Sequence, residues 1–245
     1  MLKIMIVGAT SAIAHQTARH FARDGAAFFL VGRNQTKLEA VASDLTAYGA
    51  RSTVCIVQDI NVMDQHDQLF AQAVMDLDGL DVLFIAHGTL GDQPHCETDF
   101  DAALQEINTN FTSAASLLTI AANHFEKERR GVIAVISSVA GDRGRATNYV
   151  YGTAMAAKTA FLSGLRNRLA TSGVQVITIK PGLVATPMTA GMPQSALFTS
   201  AEKVGADIYK GMKQGRDVIY TPFYWRYIML IIRALPEPIF KRLKL

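Results

Sequence analysis

Cysteine, charge and long apolar runs are all scarce in this sequence, and each shortage excludes something. Two cysteines, Cys55 and Cys96, with no CxxC pair and no His-rich spacing, leave no disulfide framework and no metal motif to expect. Charged residues make up 18% and the net charge is only +3, with no basic block before the last few residues. That balance excludes nucleic acid as a partner on electrostatic grounds. The N-terminal apolar run "KIMIVG" ends at Gly8, too soon for the apolar region of a signal peptide, so a cytoplasmic location is expected. Near the C-terminus the apolar run before Pro236 is again short of the ~20 residues that span a bilayer. Repeats, linkers and low-complexity stretches are lacking too. What remains is a chain of 245 residues that is 49% apolar. One fold of that size buries roughly three quarters of its unfolded surface.

Two patterns alternate through it. Short β-branched runs, "KIMIVG", "AFFLVG", "STVCIV", "DVLFIA", "GVIAVIS" and "VQVITIK", read as buried parallel strands. Helical spacing fills the intervals over residues 12–24, 35–48 and 99–128. Such alternation predicts an α/β fold with a doubly wound parallel sheet of Rossmann type. A ligand is expected beyond the carboxyl ends of the strands. A single domain over 1–222 is followed by a different segment over 223–245, and the loop after Pro181 reads as a mobile stretch beside the ligand.

The first strand, turn and helix, "IMIVGATSAIAHQTARHFARDG", suit a pyrophosphate at a helix N-terminus. Gly8 makes the turn, and Thr10, Ser11, Ala12 and Ile13 follow where backbone amides face a phosphate. Alanines stand at two positions where glycines are usual, so a plain βα turn packed for its own sake is the competing reading. The acidic residue that holds the NAD ribose 2′-hydroxyl is also missing. "VGRNQTK" offers Arg33 and Lys37 instead, and a guanidinium suits the 2′-phosphate of NADP; the bland alternative is a solvated arginine. NADP is preferred and NAD is the second choice. Asp59, ending the third strand in "VQDI" with Ile60 next, is placed to accept from an adenine amino group or to cap the next helix.

Ser138, ending the fifth strand in "VISSVAGDRG", Tyr151 in "NYVYGTAMAAK" and Pro181-Gly182 in "KPGLVAT", together with the N-terminal turn, resemble the short-chain dehydrogenase/reductase family across nearly the whole chain. The resemblance implies that Ser138 hydrogen-bonds a substrate carbonyl oxygen and Tyr151 exchanges a proton with it. It also implies that Asn110 holds a relay water, with Asn108 in "INTNF" the competing register. Pro181, Gly182, Val184 and Thr186 match the segment that holds the nicotinamide carboxamide. In "IAHG", Ala86 and Gly88 keep the small backbone shape, while His87 reads as a packing or polar-contact residue rather than a base.

The family's lysine, four residues after the tyrosine, is lacking here, because Met155 stands in its place. That lysine holds the nicotinamide ribose and lowers the tyrosine pKa, and a thioether does neither. Bringing a tyrosine from ~10 to about 7 takes roughly 4 kcal/mol, so an impaired enzyme is expected. Lys158 lies seven residues beyond Tyr151 and roughly 10 Å along the helix axis. It is expected to be a surface or interface charge, with partial reach into the site as the alternative. Several segments, among them "HGTLGD" and "YWRYIMLIIRALPEPIFKRL", are similar to a branch of the family that reduces a 2-keto pentofuranose on a polyprenyl phosphate. That likeness implies a lipid-linked or small-molecule ketone substrate, and the family at large implies a homo-oligomer.

The 223–245 segment joins Trp225 and two tyrosines to Arg226, Arg233, Lys241, Arg242 and Lys244. It suits a peripheral contact with an anionic membrane surface, or equally a helix covering the core. The first functional hypothesis is therefore an NADPH-dependent ketone reductase. The second is a nucleotide-binding sensor or scaffold without turnover, and Met155 is the residue that divides them.

Overall fold

A computed structural model of the protein describes residues 1–193 and 195–243. Lys244 and the end of the predicted tail lie outside the described residues.

The β-branched runs become strands because burial on both sheet faces selects apolar residues at every position, not at alternate ones. In chain order the elements begin with β1 (Lys3–Val7), α1 (Ala12–Arg23), β2 (Ala27–Gly32), α2 (Gln35–Ala47) and β3 (Ser52–Val57). Then come α3 (His66–Asp76), β4 (Val82–Ile85), α4 (Gln93–Thr98), α5 (Phe100–Ile107) and α6 (Ser113–Glu128). The second half holds β5 (Gly131–Ile136), α7 (Tyr149–Leu169), β6 (Val174–Pro181), β7 (Val184–Ala185) and β8 (Thr199–Ser200). The chain continues through α8 (Ala201–Lys213), β9 (Val218–Thr221), α9 (Trp225–Ala234) and α10 (Glu237–Phe240). Seven strands pair in the order β3-β2-β1-β4-β5-β6-β9, every pair parallel. All six residues of β2 are buried, as are all four of β4.

Two cores result, one on each face. Phe29, Leu83, Leu117, Phe125 and Leu162 pack with α3, α6 and α7 on one side. Phe28, Leu30, Phe84, Ile177 and Ile208 pack with α1, α2 and α8 on the other. The doubly wound Rossmann-like sheet read from the sequence is the fold observed. Its strand order reverses between β1 and β4, which opens a crevice at their carboxyl ends.

Three local readings change. The helix expected over 99–128 is interrupted by a π-helical stretch, Asn108–Thr112, between α5 and α6, and such bulges are frequent at functional sites. Ser138 and Asp59 lie two residues beyond β5 and β3 and do not end them. The loop after Pro181 is partly ordered by parallel pairing of β7 with β8.

The tail packs on the domain through Trp225 and Met229, which are buried beside Val139. Arg143 pins it further. The guanidinium donates to the carbonyls of Ile232 and Leu235, each at 2.6 Å, and to Glu237 Oε2 at 2.8 Å. It also sits 3.6 Å from the centre of the Phe240 ring. Among the described residues, no helix is long and apolar enough to cross a membrane.

Candidate active site

A cavity of about 450 Å³ opens where the strands end. Gly8, Arg33 and Asp59 line one end of it, and Ser138, Tyr151 and Thr186 the other. The turn after β1 is tight because Gly8 adopts φ +82°. A Cβ there would lie 2.5 Å from the His87 nitrogen, so only glycine allows this turn to press against the loop after β4. Ser11, the residue before α1, makes no side-chain cap, and it lines the cavity with Thr10, Ala12 and Ile13. The first-turn amides of α1 thus remain available to a ligand.

At the same end Arg33 is exposed one residue after β2 and lines the cavity. Asp59 also lines it, and its Oδ1 accepts from the Asn61 amide at 3.0 Å. The carboxylate therefore holds the local turn while remaining at the rim. Ile60, beside it, is buried. Ala86 and Gly88 keep the loop after β4 thin, and Gly88 faces Asn110 Oδ1.

The other end carries the reactive groups. Ser138 begins a short 3-10 turn (Val139–Asp142), and its Oγ accepts from the Ala140 amide at 3.1 Å. Burial pushes the Tyr151 phenol above its ordinary pKa; a hydrogen bond with Ser138 pulls it down, the Glu106 charge raises it, and Arg145 lowers it. The predicted serine and tyrosine therefore line the same end of the cavity, near enough for the hydroxyl to act on the phenol. Pro181 closes β6, and Gly182, Val184 and Thr186 line the cavity after it. A Cβ on Gly182 would meet Trp225 Nε1 at 1.8 Å, so the tail's indole is seated on this segment.

Asn110 is fully buried in the π-helical stretch. Its Nδ2 donates to Glu106 Oε1 at 2.7 Å and to the Thr89 carbonyl at 3.1 Å, and its Oδ1 accepts from the Thr89 amide at 3.1 Å. Asn108, the competing register, lines a separate shallow hollow with Asp59 and Gln105. Asn110 thus ties the loop after Gly88 to the helix.

Met155 is 3% exposed and brings its thioether to the cavity wall. Lys158 overturns the expectation of a surface charge: it is 1% exposed and lines the same cavity. Residues 151, 155 and 158 share one face of α7, and a lysine side chain leans toward the helix N-terminus along its methylene stem. Its Nζ donates to the Ile136 carbonyl at 3.3 Å. Burial pushes this amine down to about 7. His87 is pushed down to about 3, by burial first and the Lys158 charge second.

Sequence reading missed Arg145 and Trp225 as wall residues, and Glu106 as the carboxylate that holds Asn110 and Thr89 behind the wall. Only tertiary placement brings them here, and no motif spacing signals them. Among the described residues, five buried polar atoms of the cavity wall lack a partner: Asn61 Oδ1, His87 Nδ1, Arg145 Nε, Asn148 Oδ1 and Trp225 Nε1. A pocket with so many open donors and acceptors, a phosphate-width turn and a free arginine fits a dinucleotide.

Comparison with known proteins agrees with this geometry. The family profile described as short chain dehydrogenase matches residues 3–196. The chain is a short-chain dehydrogenase/reductase. It thereby belongs to a family of NAD(P)-dependent oxidoreductases. An uncharacterized oxidoreductase of Mycobacterium tuberculosis is 34% identical over 240 residues, covering 98% of this chain and 96% of that protein. Another, from Streptomyces coelicolor, is 31% identical over 243 residues, covering 98% and 95%. Among solved structures, a short-chain type dehydrogenase/reductase from Mycobacterium ulcerans superposes with a TM-score of 0.79 at 21% identity, covering 96% of this chain and 98% of that one. These relatives fix the family of this short-chain dehydrogenase/reductase but not its substrate; the narrower likeness to the keto-sugar branch is not among what they establish.

Proposed function

We propose that this short-chain dehydrogenase/reductase is an NADPH-dependent reductase of a ketone. The observation that carries the reading is that Ser138 and Tyr151 line one cavity together with the Gly8 turn and Arg33, with the serine hydroxyl near enough to pull the phenol's pKa down. A reduced nicotinamide, when bound, supplies the hydride that a carbonyl carbon accepts. The chain's own groups act on the oxygen. Ser138 hydrogen-bonds it, and Tyr151 transfers the phenolic proton to it as the alcohol forms. A raised pKa suits this direction, because the phenol stays protonated and ready to donate. Gly8, Thr10, Ser11, Ala12 and Ile13 would hold the pyrophosphate, Arg33 the 2′-phosphate, Asp59 and Ile60 the adenine. Pro181, Gly182, Val184 and Thr186 would hold the carboxamide. In this reading Asn110 keeps the loop after β4 in place.

Met155 brings neither charge nor donor, which favours a slow enzyme. Lys158 in the same cavity weighs against that. The substrate class we favour is an amphiphilic ketone, such as a keto-sugar on a polyprenyl phosphate. Support comes from α9 and its flanks, which leave Phe223, Tyr227, Leu230 and Ile231 at least 60% exposed. Arg226, Arg233, Lys241 and Arg242 are exposed beside them. An apolar strip with a basic border complements an anionic lipid surface.

The test is NADPH oxidation with a panel of ketones, run for the natural chain and for Tyr151→Phe. Turnover by the first, lowered about 10²- to 10⁴-fold in the second with NADPH binding intact, supports the reading. NADPH binding without turnover of any ketone favours the sensor or scaffold.

A further inference from the structure

The Lys158 ammonium is an odd group to bury. Its only hydrogen bond among the described residues is the 3.3 Å contact with the Ile136 carbonyl, which leaves most of its donor capacity unused. Among the described residues no carboxylate pairs with it. A buried cation without a partner is costly unless a ligand completes its shell.

His87, on the wall of the same cavity, presents the opposite deficit. Its Nε2 lies 2.9 Å from Ser113 Oγ, and Ser113 donates its own proton to the Thr109 carbonyl at 2.9 Å. Ser113 must therefore accept from His87, which puts the proton on Nε2 and leaves Nδ1 a bare acceptor. That Nδ1 is buried with no partner among the described residues, and His87 lines the cavity with Lys158. Unused donors and an unused acceptor thus open on the same cavity. Hydroxyl groups answer both needs, since each accepts one hydrogen bond and donates another. Lys158 shares the α7 face with Tyr151, while Arg33 and Asp59 mark the far end of the cavity. The hydroxyls nearest this pair are then those of the ribose next to the reacting ring.

We propose that Lys158 and His87 form a donor–acceptor pair that grips the nicotinamide-side ribose hydroxyls, so that the cation of this cofactor site sits at position 158 and not at position 155. The inference rests on the dinucleotide reading above and goes beyond it.

The test is equilibrium binding by fluorescence titration of the full chain with NADPH, and with 2′,5′-ADP, which lacks the nicotinamide-side ribose. Lys158→Met is expected to weaken NADPH about 10- to 100-fold, the range for a charged hydrogen bond, and to leave 2′,5′-ADP unchanged. His87→Leu should weaken NADPH about 3- to 10-fold with the same selectivity. Adding Met155→Lys to Lys158→Met should restore part of the loss by returning a cation to the same helix face. Equal NADPH affinity in the natural chain and Lys158→Met overturns the inference and leaves the proposed function standing. Equal weakening of both ligands overturns it as well, by showing a general loss of structure. If the natural chain binds neither ligand at millimolar concentration, the dinucleotide reading itself fails.

Discussion

Replacing Lys158 by methionine should make the cofactor-free protein more stable while making it a poorer binder. The perturbation removes one ammonium from a site that is 1% exposed and keeps a side chain of similar length. Burial moves the amine from its ordinary 10.5 to about 7, and each pH unit corresponds to ~1.4 kcal/mol. The upper bound on the penalty is therefore about 5 kcal/mol, and the bond to the Ile136 carbonyl reduces it to about 3 kcal/mol. The sign follows from proton counts. Between pH 7 and 10.5 the unfolded chain holds a proton that the folded one releases, so the folded state of the natural chain loses ground as pH falls through that window. At and below pH 7 the penalty is complete; near 10.5 it vanishes. The titratable groups His87 and Tyr151 line the same cavity, and neither titrates between 7 and 10 by the directions given above. Thermal melts of both proteins at pH 7 and pH 10, without nucleotide, read this directly. For a chain of this size about 3 kcal/mol raises the melting temperature by roughly 6 to 12 °C, and the gain should shrink toward pH 10. A methionine variant that melts lower at pH 7, or whose gain is the same at both pH values, refutes the burial argument and makes Lys158 a structural residue.

Arg33→Ala should lower NADPH affinity about 10- to 100-fold and leave NADH affinity unchanged, as read by parallel titrations; equal loss of both would remove Arg33 from the 2′-phosphate site. Because burial holds the Tyr151 phenol above its ordinary value, ketone reduction should stay level through neutral pH and fall only in the alkaline range, whereas alcohol oxidation should keep rising with pH. Arg145 lowers that phenol while Glu106 raises it, so Arg145→Met should move both profiles to higher pH, and unmoved profiles would dissociate Arg145 from the proton transfer. Leu230→Glu with Ile231→Glu should abolish flotation with vesicles containing anionic lipid. Equal flotation of the variant ends the membrane reading, and a change in oligomeric state instead assigns the strip to a second copy of the chain.

Much of this was legible in the residues themselves. Strands such as "AFFLVG" announce burial on both faces, so the central sheet could be read from composition alone. The last strand could not: Val218–Thr221 is four residues long at a sheet edge, and Val218 is 41% exposed. The helices His66–Asp76 and Gln93–Thr98 were also missed, the second because six residues leave too few turns for a period to show. Ser138 and Tyr151 were found through the family resemblance, whose motifs fall just after β5 and at the start of α7. Lys158 was misplaced because sequence separation measures rise along the axis and does not show that α7 stays buried as far as position 158. Arg145 and Glu106 had no signal at all, since a loop and an interrupted helix bring each charge within range of the Tyr151 phenol only in three dimensions.

The central claim is that the cavity holds a nicotinamide ring beside the Tyr151 phenol, with its ribose on Lys158 and His87. A crystal structure of the natural chain with NADPH tests it most directly. The account predicts ring carbon C4 facing the space between Ser138 and Tyr151, and both ribose hydroxyls within hydrogen-bond distance of Lys158 Nζ or His87 Nδ1. A dinucleotide seated elsewhere, or a ribose bound with Lys158 still turned only to the Ile136 carbonyl, would contradict it.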